Sequence, residues 1–298
     1  MTDTINCPLC GGKEHRVFYN NLGIDILSCR SCSFMFSHPM PDDRDLKKIY
    51  DEDYFICDHA DQMSYDNYFE EEAAIRKSSV KRLKRMSKYT VKGRLFDVGC
   101  AVGYFMDTAK NLGWEVEGSD ISSFCIKHAT EELGLKAYEG TLPELRLKSN
   151  SYDVVTMWDI IEHLKDPVKE MKEVNRILKK DGLVVIMTPN VDSMIAKVSG
   201  KRWILYQSPH IHLLYFSPVT IKHLLEKTGF EVIKTVRFWH GGKYVPLSYA
   251  LKRLVIYSPI FKPIRAFFRF FKLDKIAPWL DIGDNMVTYA KKVKSLKE

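Results

Sequence analysis

The chain has 298 residues, 45% hydrophobic and 28% charged, with a formal net charge of +7 at pH 7. That balance belongs to a globular protein with a full core and excludes disordered, collagen-like and disulfide-stapled chains. With no run of about 18 uncharged apolar residues and no apolar signal region in the opening MTDTINCPLC, the expectation is a cytoplasmic protein without a spanning helix.

The first element is a cysteine quartet. Cys7 and Cys10 form one C-x2-C knuckle, and Cys29 and Cys32 form another, with 18 residues between them. Two residues between thiolates let one tight turn present both sulfurs to a tetrahedral ion, and two such turns close the shell. Gly11 and Gly12 follow the first knuckle, where the chain must bend back. The expectation is a structural zinc ribbon over residues 1–40, because a complete four-sulfur shell leaves no position for substrate. Lys13, Arg16 and Arg30 stand against Glu14 and Asp25, which gives no nucleic-acid footprint. Cys57, Cys100 and Cys125 lack the knuckle spacing and read as ordinary core or loop residues.

SHPMPDD then marks a boundary, and residues 41–92 carry apolar and aromatic residues at helical intervals, a helical linker or lid. Within it, Tyr50 and Tyr54 either close over a ligand or simply pack. From residue 93 strands and helices alternate. RLFDVG is a strand, YFMDTAKNLG a helix, EVEGSDI a strand and SSFCIKHATEELG a helix opened by serine. KAYEG and YDVVTMWD are strands, DPVKEMKEVNRILKKDG a helix, LVVIMTP a buried strand, SPVTIKHLLEKTG a helix and FEVIKTVRFW a strand. Such alternation predicts an α/β fold with a mostly parallel sheet covered by helices on both faces. Residues 241–284 break the rhythm as an amphipathic insert. Lys262, Arg265, Arg269 and Lys272 share one helical face, with Ile264, Phe267, Phe268 and Phe271 on the other. That face either packs on the sheet or on a second subunit, making a homodimer, or rests through 245–273 on the inner face of an anionic membrane. NMVTYAKK reads as a final antiparallel strand at the sheet edge.

The loop after the first strand of the sheet, LFDVGCAVGYFM, carries the most chemistry. A dinucleotide fingerprint would need glycines where Ala101 and Tyr104 stand, and no Gly-Lys-Ser/Thr follows for a P-loop. The pattern that fits is D-x-G-x-x-x-G through Asp97, Gly99 and Gly103. The loop is acidic and lysine-free, which suits a ligand with a cationic end. Asp120 ends the second strand, placed to accept from ribose hydroxyls.

LFDVGCAVG, EVEGSDIS, YDVVTMWDIIEHLKDP and RILKKDGLVVIMTPN, in that order, resemble the motifs of class I S-adenosylmethionine-dependent methyltransferases over residues 93–240 and the last strand. Ubiquinone-type O-methyltransferases and bacterial sugar and antibiotic methyltransferases, some with a zinc ribbon, are similar in kind. The resemblance implies a Rossmann-like seven-stranded sheet over 93–298, S-adenosyl-L-methionine as cofactor, and a small-molecule acceptor, a sugar or a lipid-linked compound. It implies that Asp97, Gly99, Ala101, Gly103 and Tyr104 surround the methionine end, that Asp120 and Ile121 hold the ribose and adenine, and that Thr141, Leu142 and Trp158 close the pocket. His212, in the stretch HLLYFS, and His163, in DIIEHL, are the candidate bases. The spacing of Asp159, Glu162 and His163 corresponds to a divalent-metal site proposed in the ubiquinone-type enzymes. An RNA methyltransferase and a non-catalytic scaffold are the competing functions; an N-P-P-Y-type base-methylation motif is missing, with MWDI in its place.

Overall fold

The computed structural model describes residues 5–50, 55, 68–237, 243–244, 262–271, 279–280 and 284–296. β1 (His15–Asn21) and β2 (Ile24–Cys29) pair antiparallel, and β3 (Met35–His38) adds to β2. α1 (Asp43–Ile49) starts where the Asp42 carboxylate accepts from Asp45 N–H. After α2 (Glu72–Met86) the alternation begins: β4 (Arg94–Val98), α3 (Tyr104–Asn111), β5 (Glu115–Asp120), α4 (Ser123–Lys127) and β6 (Lys136–Glu139). β7 (Tyr152–Trp158), α5 (Pro167–Ile177), β8 (Leu178–Pro189) and α6 (Met194–Ser199) follow. Then come β9 (Leu214–Tyr215), α7 (Pro218–Lys227) and β10 (Phe230–Arg237). β11 (Lys243–Tyr244) and β12 (Trp279–Leu280) pair with each other around α8 (Lys262–Phe270), and β13 (Asn285–Lys292) is last.

The main sheet has seven strands in the order β10-β13-β8-β7-β4-β5-β6. β4 to β8 run parallel, and β13 is antiparallel to both neighbours. Alternate residues serve two cores. Phe96, Val155, Val184 and Ile186 face the layer that holds Met171, Val174, Ile221 and Leu224 of α5 and α7. Leu95, Val154, Val185 and Met187 face the layer of Leu83, Met86, Phe105 and Ala109 from α2 and α3. The period of two along each strand produces this division, and helices on both faces explain the apolar runs.

Two expectations are corrected. β13 is antiparallel but not at the edge: it is inserted between β8 and β10 and pairs with both, and its residues Met286–Ala290 are all buried. The helix expected over 166–182 stops at Ile177, because Leu178 enters the core as the first residue of β8 and Asp181 turns the chain at φ 60°. The insert falls largely outside the described residues, as do Tyr54 and Cys57. Its described helix α8 leaves Ile264, Phe267, Phe270 and Phe271 exposed, so this apolar side is not buried against the sheet.

The ribbon is joined to the main domain twice over. β3 pairs with β9, which makes the small sheet four-stranded with one strand supplied by residues 214–215. Cys7, Leu9, Phe34 and Phe36 also share a core cluster with Phe216, Leu224 and Ile186.

Candidate active site

Both metal knuckles are built by the same local device. Gly11 N–H donates to Cys7 O at 2.8 Å, Ser33 N–H donates to Cys29 O at 2.9 Å, and Gly11 and Ser33 take positive φ. Cys7 Sγ lies 3.7 Å from Cys32 Sγ and Cys10 Sγ 3.6 Å from Cys29 Sγ. A tetrahedral ion with bonds of about 2.3 Å sets its sulfurs about 3.8 Å apart. These two pairs match that spacing, and all four sulfurs lie within 4.8 Å of one another, an arrangement that suits zinc. Burial pushes the Cys7 thiol up to about 11, whereas at Cys29 backbone N–H donors outweigh burial and bring it to about 7. A divalent cation is what would let all four carry charge together.

The second site lies at the carboxyl ends of β4 and β7, where the chain order reverses and an open parallel sheet leaves a crevice. A cavity of about 820 Å³ opens there, within the range of small-molecule sites. Asp97, Gly99, Ala101, Asp120, Ile121, Thr141, Leu142, Trp158 and His163 all line it. Carboxylates in the lining outnumber Arg82, Lys165 and Lys169 by eight to three.

Asp97 is buried at the end of β4 and accepts from Thr156 Oγ1 at 2.6 Å. Burial raises its carboxyl to about 7, against the opposing effects of the Thr156 hydroxyl and the Arg82 charge. Gly99 and Gly103 turn the loop at φ 71° and 93°, and Ala101 is left-handed too, at φ 47°. That conformation explains why glycine is expected at position 101; alanine holds it at a modest strain. A Cβ at Gly99 would sit 2.0 Å from Ile160 Cδ1, so any larger residue there must push the Ile160 side chain aside. Ala101 N–H donates to Asp120 Oδ2 at 2.9 Å and Ser122 N–H to Oδ1 at 3.0 Å, fixing the carboxylate at the cleft. Burial raises the Asp120 pKa, opposed by these backbone donors. Gly103 and Tyr104 do not line the cavity. Gly103 caps α3, and the Tyr104 ring is buried under the Arg76 guanidinium, 5.1 Å from its centroid.

Two lining residues escaped sequence reasoning. Arg82, on α2, stacks over the Trp158 ring at 4.5 Å. Glu170, on α5, is buried and burial raises its carboxyl to about 7. The sequence held a signal for Glu170, a carboxylate on the helix stripe of Pro167, Met171, Val174 and Ile177 that is otherwise apolar and buried. The Trp158 indole Nε1 is buried and has no hydrogen-bond partner among the described residues. An acidic lining, the Asp120 carboxylate held at the cleft and a Trp158 N–H without a partner among the described residues fit a nucleoside with a cationic sulfonium end.

The histidines separate. His163 lines the cleft, with Nδ1 2.8 Å from Ile211 O and 2.8 Å from Tyr50 Oη. A carbonyl only accepts, so Nδ1 carries the proton and Nε2 is the basic nitrogen. Burial lowers the pKa, which keeps the ring neutral. His212, expected to face an acceptor, stands one ring behind, 4.9 Å from His163 between centroids and outside the cavity lining. The metal trio is also recast: the donor atoms that gather within 4.8 Å are those of Glu162, His163 and His212, without Asp159. Asp159 lines the cleft at φ 56°.

A family model described as a methyltransferase domain matches residues 66–235. A Mycolicibacterium smegmatis protein named "Probable S-adenosylmethionine-dependent methyltransferase" is 30% identical over 155 residues, covering 52% of this chain and 58% of the relative. The ubiquinone biosynthesis O-methyltransferase of Cereibacter sphaeroides is 29% identical over 150 residues, covering 47% of this chain and 61% of the relative. The chain thus spans about three fifths of the length of these curated relatives. The crystal structure of a SAM-dependent methyltransferase from Archaeoglobus fulgidus has the same fold, with a TM-score of 0.50 at 22% identity over 76% of this chain and 99% of that one. Sheet order, glycine loop and family match agree: the chain belongs to the class I S-adenosylmethionine-dependent methyltransferases.

Proposed function

We propose that the protein transfers a methyl group from S-adenosyl-L-methionine to a small-molecule acceptor, at a hydroxyl or carbon of a sugar carried on a nucleotide or lipid. The observation that carries this reading is the shared cleft: Asp97, Asp120, Trp158 and His163, far apart in sequence, line one acidic cavity of about 820 Å³. When bound, the sulfonium supplies an electrophilic methyl. Asp97 and Arg82 hold the amino and carboxylate groups of the methionine end, Asp120 accepts from the ribose hydroxyls, and Ile121, Thr141 and Leu142 flank the base. His163 takes the acceptor's proton at Nε2 as the methyl moves, with Nδ1–H anchored on the Ile211 carbonyl. His212 supports that ring. Residues 1–40 form the zinc ribbon, 41–92 the linker that brings Tyr50 and Arg82 to the cleft, and 93–298 the cofactor-binding domain. A polyprenylated aromatic, the acceptor class suggested by the ubiquinone-pathway relative, is the alternative within the same chemistry.

Incubating the protein with methyl-labelled S-adenosylmethionine and separate fractions of nucleotide sugars, lipids and RNA tests this directly. Label is expected in the sugar or lipid fraction. His163→Ala should lower turnover at least about 100-fold with the cofactor affinity unchanged. Label confined to RNA, or full turnover by His163→Ala across pH, rejects the assignment.

A further inference from the structure

The cleft does not account for α8. Its sequence with the following residue, KPIRAFFRFF, places Ile264, Phe267 and Phe271 at helical spacing, and these side chains are exposed, as is Phe270 at 81%. The Phe271 ring lies tilted against Phe267 and edge-on to Phe270, with centroids 4.7 and 5.1 Å apart. An aromatic cluster left in water is an interaction surface unless something covers it. The charge around it indicates what does. Between Val232 and Leu273 the sequence has nine Lys and Arg residues and no Asp or Glu, more positive charge than the +7 excess of the whole chain. Lys262, Arg265, Arg269 and Lys272 recur at three- and four-residue steps beside the phenylalanines.

We propose that α8 docks the protein on an anionic lipid bilayer, its phenylalanines entering the headgroup boundary and the basic residues that the sequence sets among them meeting the lipid phosphates. A second copy of this chain is the less suitable cover, since it would bring an equally basic, acid-free stretch against this one. An interfacial helix needs an apolar face for depth and cations for attraction, and α8 has both in one short element. No described helix is long and apolar enough to cross a membrane, and the contact proposed is a peripheral one. This inference does not depend on which acceptor is methylated.

Co-sedimentation of the full chain with vesicles tests it. Vesicles mixing phosphatidylglycerol with phosphatidylcholine should bind the protein, pure phosphatidylcholine should bind it at least about tenfold more weakly, and added salt should release it. The triple variant F267S/F270S/F271S should lose at least about tenfold of the phosphatidylglycerol binding while its thermal unfolding is unchanged. Equal binding of both vesicle types, or binding untouched by the triple variant, overturns the proposal. So does a dimer in sedimentation equilibrium that the triple variant dissolves in the absence of any vesicle binding, which would make a second copy the cover.

Discussion

Asp97 carries the sharpest consequence of burial for a single group. Its carboxyl is raised to about 7, so in the folded apo protein it keeps a proton that the unfolded chain, near the ordinary value of about 3.9, has already lost. The folded state then binds more protons than the unfolded state, and stability falls as pH rises from about 4 to 7. Asp97→Asn should remove that slope, melting above the parent protein at pH 8 and beside it at pH 4. A bound cation reverses the preference and draws the carboxylate into its charged form. Titration calorimetry should show S-adenosylmethionine binding more tightly at pH 8 than at pH 6 in the parent and flat in Asp97→Asn. An affinity independent of pH in the parent would remove Asp97 from the site. The sequence disclosed Asp97 through the D-x-G-x-x-x-G spacing with Gly99 and Gly103, and Asp120 as the residue that ends the next strand. It could not disclose Arg82, whose role comes from the Trp158 ring that α2 is laid against.

At the scale of one element, the glycine loop distinguishes two reasons for a small residue. Gly99 needs both a positive φ and the space that Ile160 takes, whereas Ala101 needs only the backbone angle. Gly99→Ala should therefore drive Ile160 into the cleft, weakening cofactor binding at least about tenfold and destabilising the chain by about 1–2 kcal/mol. The double variant Gly99→Ala/Ile160→Ala should recover part of the affinity, and Ala101→Gly should bind as the parent does. Affinity that stays low in the double variant would show that the obstruction is not Ile160. Strand positions were legible because β4, β7 and β8 are short apolar runs set between helical segments, as a sheet covered on both faces requires. The interior place of β13 was not, since a fully buried run at the end of a chain reads the same whether it pairs on one side or on two.

For the whole molecule, the ribbon and the cleft form one mechanical unit. Ser37 N–H in β3 donates to Leu213 O at 2.8 Å, and Leu213 N–H donates to Glu162 O at 2.8 Å, one residue from His163. Ser37 Oγ adds a bond to the His212 carbonyl at 3.2 Å. Cys29→Ser should thus do more than loosen a terminal appendage. Loss of the metal, read by elemental analysis, should lower stability by at least about 4 kcal/mol, about 10 °C in Tm, and reduce turnover together with it. A variant that unfolds in two steps with turnover intact would show the ribbon to be independent. The cysteine spacing made the four-sulfur cluster legible, but nothing local marks Leu214–Tyr215 as a partner for β3. That short strand exists only because two distant segments meet. Ser37 and His212 are 175 residues apart, so the wall behind His163 closes a loop longer than half the chain. Contacts of such high order pay their closure entropy late in the folding reaction. In a pulse-labelled refolding experiment, the amide of Leu213 should gain protection after those of β4 and β7, making this seam the last part of the cleft wall to solidify.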